Sequence, residues 1–156
     1  MQTIKSFEVD HRKLEKGIYI SRIDGDIITY DLRFVKPNSG SYMDNETIHT
    51  IEHLLAVYAR NSEIGDKVIY FGPMGCMTGF YFLLRDTVSE QTVLEILKDI
   101  LNKAITHTGK VFGASEIECG NYRMLNLEKA QTACREYLTI IENITRIPDY
   151  DDVNNS

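Results

Sequence analysis

The sequence predicts an α+β domain of two layers: an antiparallel sheet built from hairpins, with helices packed on one face. Two observations lead there. Strand-like pairs joined by tight turns alternate with amphipathic stretches in the order hairpin, helix, hairpin, helix, helix. In the best-marked strand apolar residues alternate with polar ones, so one face is core and the other is left partly free.

Gly17–Ile23 and Asp26–Val35 read as strands joined at Asp24-Gly25, a strong hairpin signal. In the second strand Ile28, Tyr30, Leu32 and Phe34 share the core face. Thr29, Asp31 and Arg33 share the other, so Arg33 points away from the core. Pro37–Gly40 ends the strand. A helix follows over Asp44–Arg60, with Asp44 or Asn45 as N-cap and Ile48, Ile51, Leu55 and Tyr58 near helical spacing. Lys67–Phe71 is a short strand, Gly72–Gly75 a turn and Cys76–Arg85 a second strand. Thr87 and Glu90 match a capping box. Val93, Ile96, Leu97, Ile100, Leu101, Ala104 and Ile105 then form the clearest amphipathic helix. Gly109–Cys119 reads as a loop or short helical turn, and a last helix spans roughly Tyr122–Asn143. Residues 1–156 read as one domain, with about 148–156 an acidic tail expected to fray.

A chain of 156 residues suits one domain with a sizeable core. Its 17 basic and 23 acidic residues leave a net charge of −6, without the basic patch that nucleic acid requires. No apolar run approaches the ~20 residues that span a bilayer. The opening residues lack the apolar stretch of a signal peptide. Cys76, Cys119 and Cys134 are odd in number and far apart, which predicts reduced thiols in a cytoplasmic protein.

The chemistry concentrates in His49-Thr-Ile-Glu52-His53. On a helix, His49 and His53 fall one turn apart on one face, where two imidazoles can grip one metal ion. Glu52 lies three residues after His49, so its carboxylate points toward whatever the metal activates. A catalytic site usually takes a third protein ligand. Cys119 is the best candidate, beside Gly120 and ahead of a predicted helix whose N-terminus favours a thiolate. Two histidines and a thiolate suit Zn²⁺, Fe²⁺ or Co²⁺. Cys76 stands where a turn meets a strand, at a rim. It is a candidate proton carrier, with Glu52 as the second. Cys134 falls among Ala130, Tyr137, Leu138 and Ile141 and reads as core. Met74 and Met77 read as packing, and His11 and His107 carry no spacing signal of their own.

Five blocks in order go beyond spacing. They are Ser6–His11 (Ser-Phe-Glu-Val-Asp-His), Asp31–Phe34 with Pro37-Asn38, Thr47–Leu55, Gly72–Tyr81 and Cys119–Tyr122. Together they resemble the S-ribosylhomocysteine lyase family, known as LuxS. The resemblance implies a homodimer with two active sites at the subunit interface. It implies a divalent metal, Fe²⁺ in the native enzyme and often Zn²⁺ as isolated, on His49, His53 and Cys119, and no organic cofactor. It implies Cys76 and Glu52 as the acid/base pair. It also implies Ser6, His11 and Arg33 as substrate-pocket residues contributed across the interface. The implied reaction cleaves the thioether of S-ribosylhomocysteine to homocysteine and 4,5-dihydroxy-2,3-pentanedione, the autoinducer-2 precursor.

Two places depart from the pattern of many family members. Tyr70-Phe-Gly72 replaces Asp-Ile-Ser ahead of Pro-Met-Gly-Cys, and Leu125 stands where many members carry a histidine after the ligand cysteine. Two rival readings remain. The H-x-x-E-H order also marks inverted metallopeptidases, for which Glu128 would be the third ligand. A metal-stapled domain without catalysis would need neither Cys76 nor Glu52.

Overall fold

The computed structural model describes residues 1–156. The first hairpin is β1 (Gly17–Asp24) and β2 (Ile27–Arg33), and the second is β3 (Val68–Pro73) and β4 (Gly79–Arg85). They form one sheet in the order β1-β2-β4-β3, antiparallel throughout. Register puts like with like. Ile18 faces Leu32, Leu32 faces Phe80, and Tyr30 and Phe71 each face Phe82, so one face is a continuous apolar surface. On it pack α2 (Asn45–Arg60), α3 (Glu90–Thr106) and α4 (Leu127–Ile141). Ile51, Leu54, Leu55, Leu97, Ile100 and Leu101 are wholly buried there. Each such side chain contributes roughly 1.5–3 kcal/mol through burial.

Helix α2 starts as predicted, with the Asp44 carboxylate accepting from Thr47 N at 2.9 Å. Several boundaries differ from expectation. The N-cap of α3 is Ser89, accepting from Thr92 N at 3.2 Å, rather than Thr87. Glu90 is instead drawn to Ile147 N, which donates to its carboxylate. Helix α4 begins at Leu127 rather than Tyr122, because Asn126 caps it by accepting from Lys129 N at 3.0 Å. Strand β4 begins at Gly79 rather than Cys76. Met77 adopts φ +64°, which keeps Cys76 in the turn.

The outer face of the sheet is not the open surface expected. Thr29, Asp31 and Arg33 point away from the helices, as their alternation requires, yet all three are buried. The cover comes from both ends of the chain. A short helix, α1 (Lys5–Glu8), leads into a loop carrying Val9 and Leu14. The tail expected to fray forms α5 (Tyr150–Asn154), opened by a reciprocal capping box between Asp149 and Asp152. Ile20 N donates to Pro148 O at 2.8 Å, which stitches the tail onto the β1 edge. Val9, Leu14, Tyr19, Tyr150 and Val153 close a small second core. Alternating acidic and apolar residues concealed this, since Tyr150 and Val153 are too few to signal a buried face. No helix is long and apolar enough to cross a membrane.

Candidate metal centre and active site

The exposed shoulder of α2 carries His49 and His53 one turn apart, their rings edge to face with centroids 4.5 Å apart. The segment between α3 and α4 folds back over them. Asn126 N donates to Thr50 Oγ1 at 2.8 Å, and that hydroxyl donates to Glu46 O at 2.6 Å, pinning the segment to α2. Cys119 is thereby delivered to the histidines. One ligand atom from each of His49, His53 and Cys119 lies within 4.8 Å of the others.

The donor set fits a single cation. Each Nδ1 faces a backbone carbonyl, an acceptor only. His49 Nδ1–H donates to Met124 O at 2.8 Å and His53 Nδ1–H to Phe112 O at 2.7 Å. Both Nε2 lone pairs are then free to ligate, in the tautomer that metal-binding imidazoles adopt. Tetrahedral bonds of ~2.05 Å to nitrogen and ~2.3 Å to sulfur set those atoms roughly 3.5 Å apart. The observed separation of His49 Nε2 and Cys119 Sγ is 3.4 Å. Asn121 N donates to the same sulfur at 3.4 Å. Cys119 lies well ahead of α4, so the helix N-terminus expected beside it is not there.

Gly113 makes room for this arrangement. At φ +68° its missing Cβ would sit 3.2 Å from His53 Nδ1. Its position and those of Phe112 and Met124 had no sequence signal, because they act through backbone carbonyls and close approach.

A second constellation lies on the outer face of the sheet. Arg33 Nε and Nη2 donate to Asp31 at 3.1 and 2.6 Å. Tyr150 OH donates to the same carboxylate at 2.7 Å, and Arg33 Nη1 donates to Thr78 Oγ1 at 2.8 Å. Cys76 Sγ lies 3.1 Å from Thr78 Oγ1 and 3.9 Å from Arg33 Nη1. Burial works against the Arg33 charge, but Asp31 outweighs it and leaves the guanidinium above its ordinary value. Burial, then the Asp31 charge, drives the Tyr150 hydroxyl well above the usual tyrosine range. Asp31 and Arg33, at i and i+2 on one strand face, were the only sequence hint of this pair.

Of the remaining predicted residues, Glu52 lies beside the metal cluster and Ser6 on the face that carries Arg33 and Cys76. Glu52 lines a cavity of about 320 Å³ with His53, Phe71, Phe112 and Gly113. Ser6 lines another of about 340 Å³ on the outer sheet face, with Thr29, Tyr70 and Tyr81. His11 Nδ1–H donates to Val9 O at 3.0 Å. Glu128, the ligand a peptidase would need, is exposed on α4 and outside the metal cluster. Cys134 is wholly buried, and burial pushes its thiol up to about 12, as befits a core residue. The structure thus unites His49, His53 and Cys119, and separately Arg33 and Cys76. Within one chain the sheet stands between Arg33 and the helix that bears the histidines.

The S-ribosylhomocysteinase (LuxS) family model matches residues 4–147. A protein of Desulfotalea psychrophila named S-ribosylhomocysteine lyase is 39% identical over 150 residues, covering 92% of this chain and 94% of its own. One of Borreliella afzelii with the same name is 40% identical over 149 residues, covering 92% and 95%. One of Finegoldia magna, again so named, is 39% identical over 150 residues, covering 94% and 96%. With a match along nearly all its length and the metal-type cluster in the expected place, the chain belongs to the LuxS family of S-ribosylhomocysteinases.

Proposed function

We propose that the protein is a metal-dependent lyase that cleaves the thioether of S-ribosylhomocysteine, releasing homocysteine and 4,5-dihydroxy-2,3-pentanedione. The observation that carries the reading is the cluster of His49, His53 and Cys119, with both imidazoles turned so that Nε2 is free. The donor set suits Fe²⁺, Zn²⁺ or Co²⁺, with Fe²⁺ kept as the native ion. A cation held there supplies Lewis-acid polarisation of the sugar carbonyl.

Glu52 and Cys76 do the proton work. One takes a proton from a carbon beside the carbonyl and one returns it to the neighbouring carbon. Two such transfers move the carbonyl from C1 to C3. The C4 proton is then acidic, and its removal expels the homocysteine sulfur from C5. Neither an oxidant nor an organic cofactor enters the balance. Arg33, Ser6 and His11 bind and orient the substrate, with Arg33 also next to the Cys76 sulfur.

The working unit is a homodimer with its active sites between subunits. Arg33 and Cys76 lie across the sheet from the histidines of their own chain, so a pocket holding both needs a second copy. Ile4, Phe7 and Tyr70 are exposed on or beside that outer face, apolar surface that a second copy would bury. All three cysteines are free thiols, in keeping with a cytoplasmic setting.

The test is direct. S-ribosylhomocysteine is added to anaerobically purified protein and free thiol is followed with and without a chelator. Chelator-sensitive thiol release is expected, and its absence from well-folded, metal-loaded protein would sink the reading.

A further inference from the structure

We propose that Thr78 is the positioning residue for Cys76: its hydroxyl, oriented by Arg33, donates a hydrogen bond to the sulfur and holds it ready to move protons. This rests on the reading of Cys76 as a proton carrier. The direction of the bonds follows from donor chemistry. Arginine has donors only. Arg33 Nη1 donates to Thr78 Oγ1 at 2.8 Å, so that oxygen is the acceptor there. Its other partner is Cys76 Sγ at 3.1 Å, and a sulfur that has given up its proton can only accept, so in that form the Thr78 hydroxyl is the donor. Thr78 is 2% exposed, so its hydroxyl is held inside the fold, while Cys76 at the other end of the bond is exposed and open to reagent.

The turn does not need this hydroxyl. Thr78 O accepts from Phe34 N and Val35 N at 3.0 Å each, and Met77 N donates to Met74 O at 3.1 Å. Those main-chain bonds place the Thr78 Cα whatever its side chain. The hydroxyl is therefore free to serve the sulfur.

The donor side is anchored from far away. Arg33 is fixed by Asp31, and Asp31 by the Tyr150 hydroxyl of α5, beyond the residues that the family model matches. The charged or titratable groups that face Cys76 are Arg33 from β2 and Tyr81 from β4, with Asp31 and Tyr150 behind Arg33. A hydrogen bond donated to the charged form of a group favours that form. Thr78 therefore fixes the Cys76 sulfur in place beside Arg33.

The experiment uses metal-loaded, full-length protein and iodoacetamide, which reacts with thiolate. Alkylation of Cys76 is read by peptide mass across pH 5–10 for wild type, Thr78→Val, Thr78→Ala and Thr78→Ser, with melting temperature measured alongside. Val and Ala both remove the hydroxyl, one keeping the branched shape, so loss of fold in one leaves the other to decide. Both should move the alkylation midpoint up by about one unit, a roughly tenfold fall in rate below the midpoint. Ser should stay within about 0.3 unit of wild type. Unchanged midpoints in the Val and Ala variants would overturn the proposal, and so would a Ser variant that moves as far as they do. Thiol release retained by Cys76→Ser would overturn the proton-carrier reading alone and leave the alkylation result standing.

Discussion

Asp31→Asn is the sharpest single test of the outer face. The substitution keeps shape and removes charge. In the wild type the Asp31 side chain is 0% exposed and that of Arg33 2%, with the guanidinium 2.6 Å from the carboxylate. An amide in place of that carboxylate would leave the guanidinium buried without its 2.6 Å carboxylate partner. Breaking a buried pair from one side costs about 3–5 kcal/mol. For a chain of this length each kcal/mol lowers the melting temperature by roughly 2–4 °C, so a drop of about 6–20 °C is expected. The double variant Asp31→Asn/Arg33→Met removes both charges and should recover most of the loss, since an apolar pair of similar volume is tolerated. Thermal and urea unfolding of all three, at one fixed protein concentration, supply the measurement. An Asp31→Asn variant within about 1 kcal/mol of wild type would contradict this account, since it would show the charge to be neutralised elsewhere.

Cys119→Ser should abolish tight metal binding in a chelator-competition titration, whereas Glu128→Gln should leave it intact; the reverse pattern would favour the peptidase reading. Gly113→Ala forces an L-residue to φ +68° and a methyl against the His53 ring. With about 1–2 kcal/mol of left-handed strain, metal affinity should fall roughly 5–30-fold in the same titration. The Asp44 carboxyl is held down to about 2, first by the Thr47 hydroxyl, then by Thr47 N and Lys129. Its folded value lies below its unfolded one, so its contribution is present above about pH 4 and is lost as pH falls toward 2. Urea midpoints from pH 5 to 2 should fall less steeply for Asp44→Asn than for wild type, and Asp44→Ala should cost about 1 kcal/mol at pH 7.

What depends on local periodicity was legible in the residues alone. Spacing along α2 put His49 and His53 on one face because a helix repeats every 3.6 residues. Alternation along β2 turned Leu32 and Arg33 to opposite faces because a strand repeats every two. Cys119 could be named as the third ligand, but its delivery to the histidines depends on Thr50 reaching Asn126, 76 residues away. The fate of the outer face emerged only in three dimensions. Alternation says that Arg33 leaves the helix layer and is silent on what it meets there. Asp31 finds Tyr150 across 119 residues, and Cys76 finds Arg33 across 43. Such partners are selected by the cost of leaving a buried charge or hydroxyl unsatisfied, a cost that exists only once the chain has folded over it.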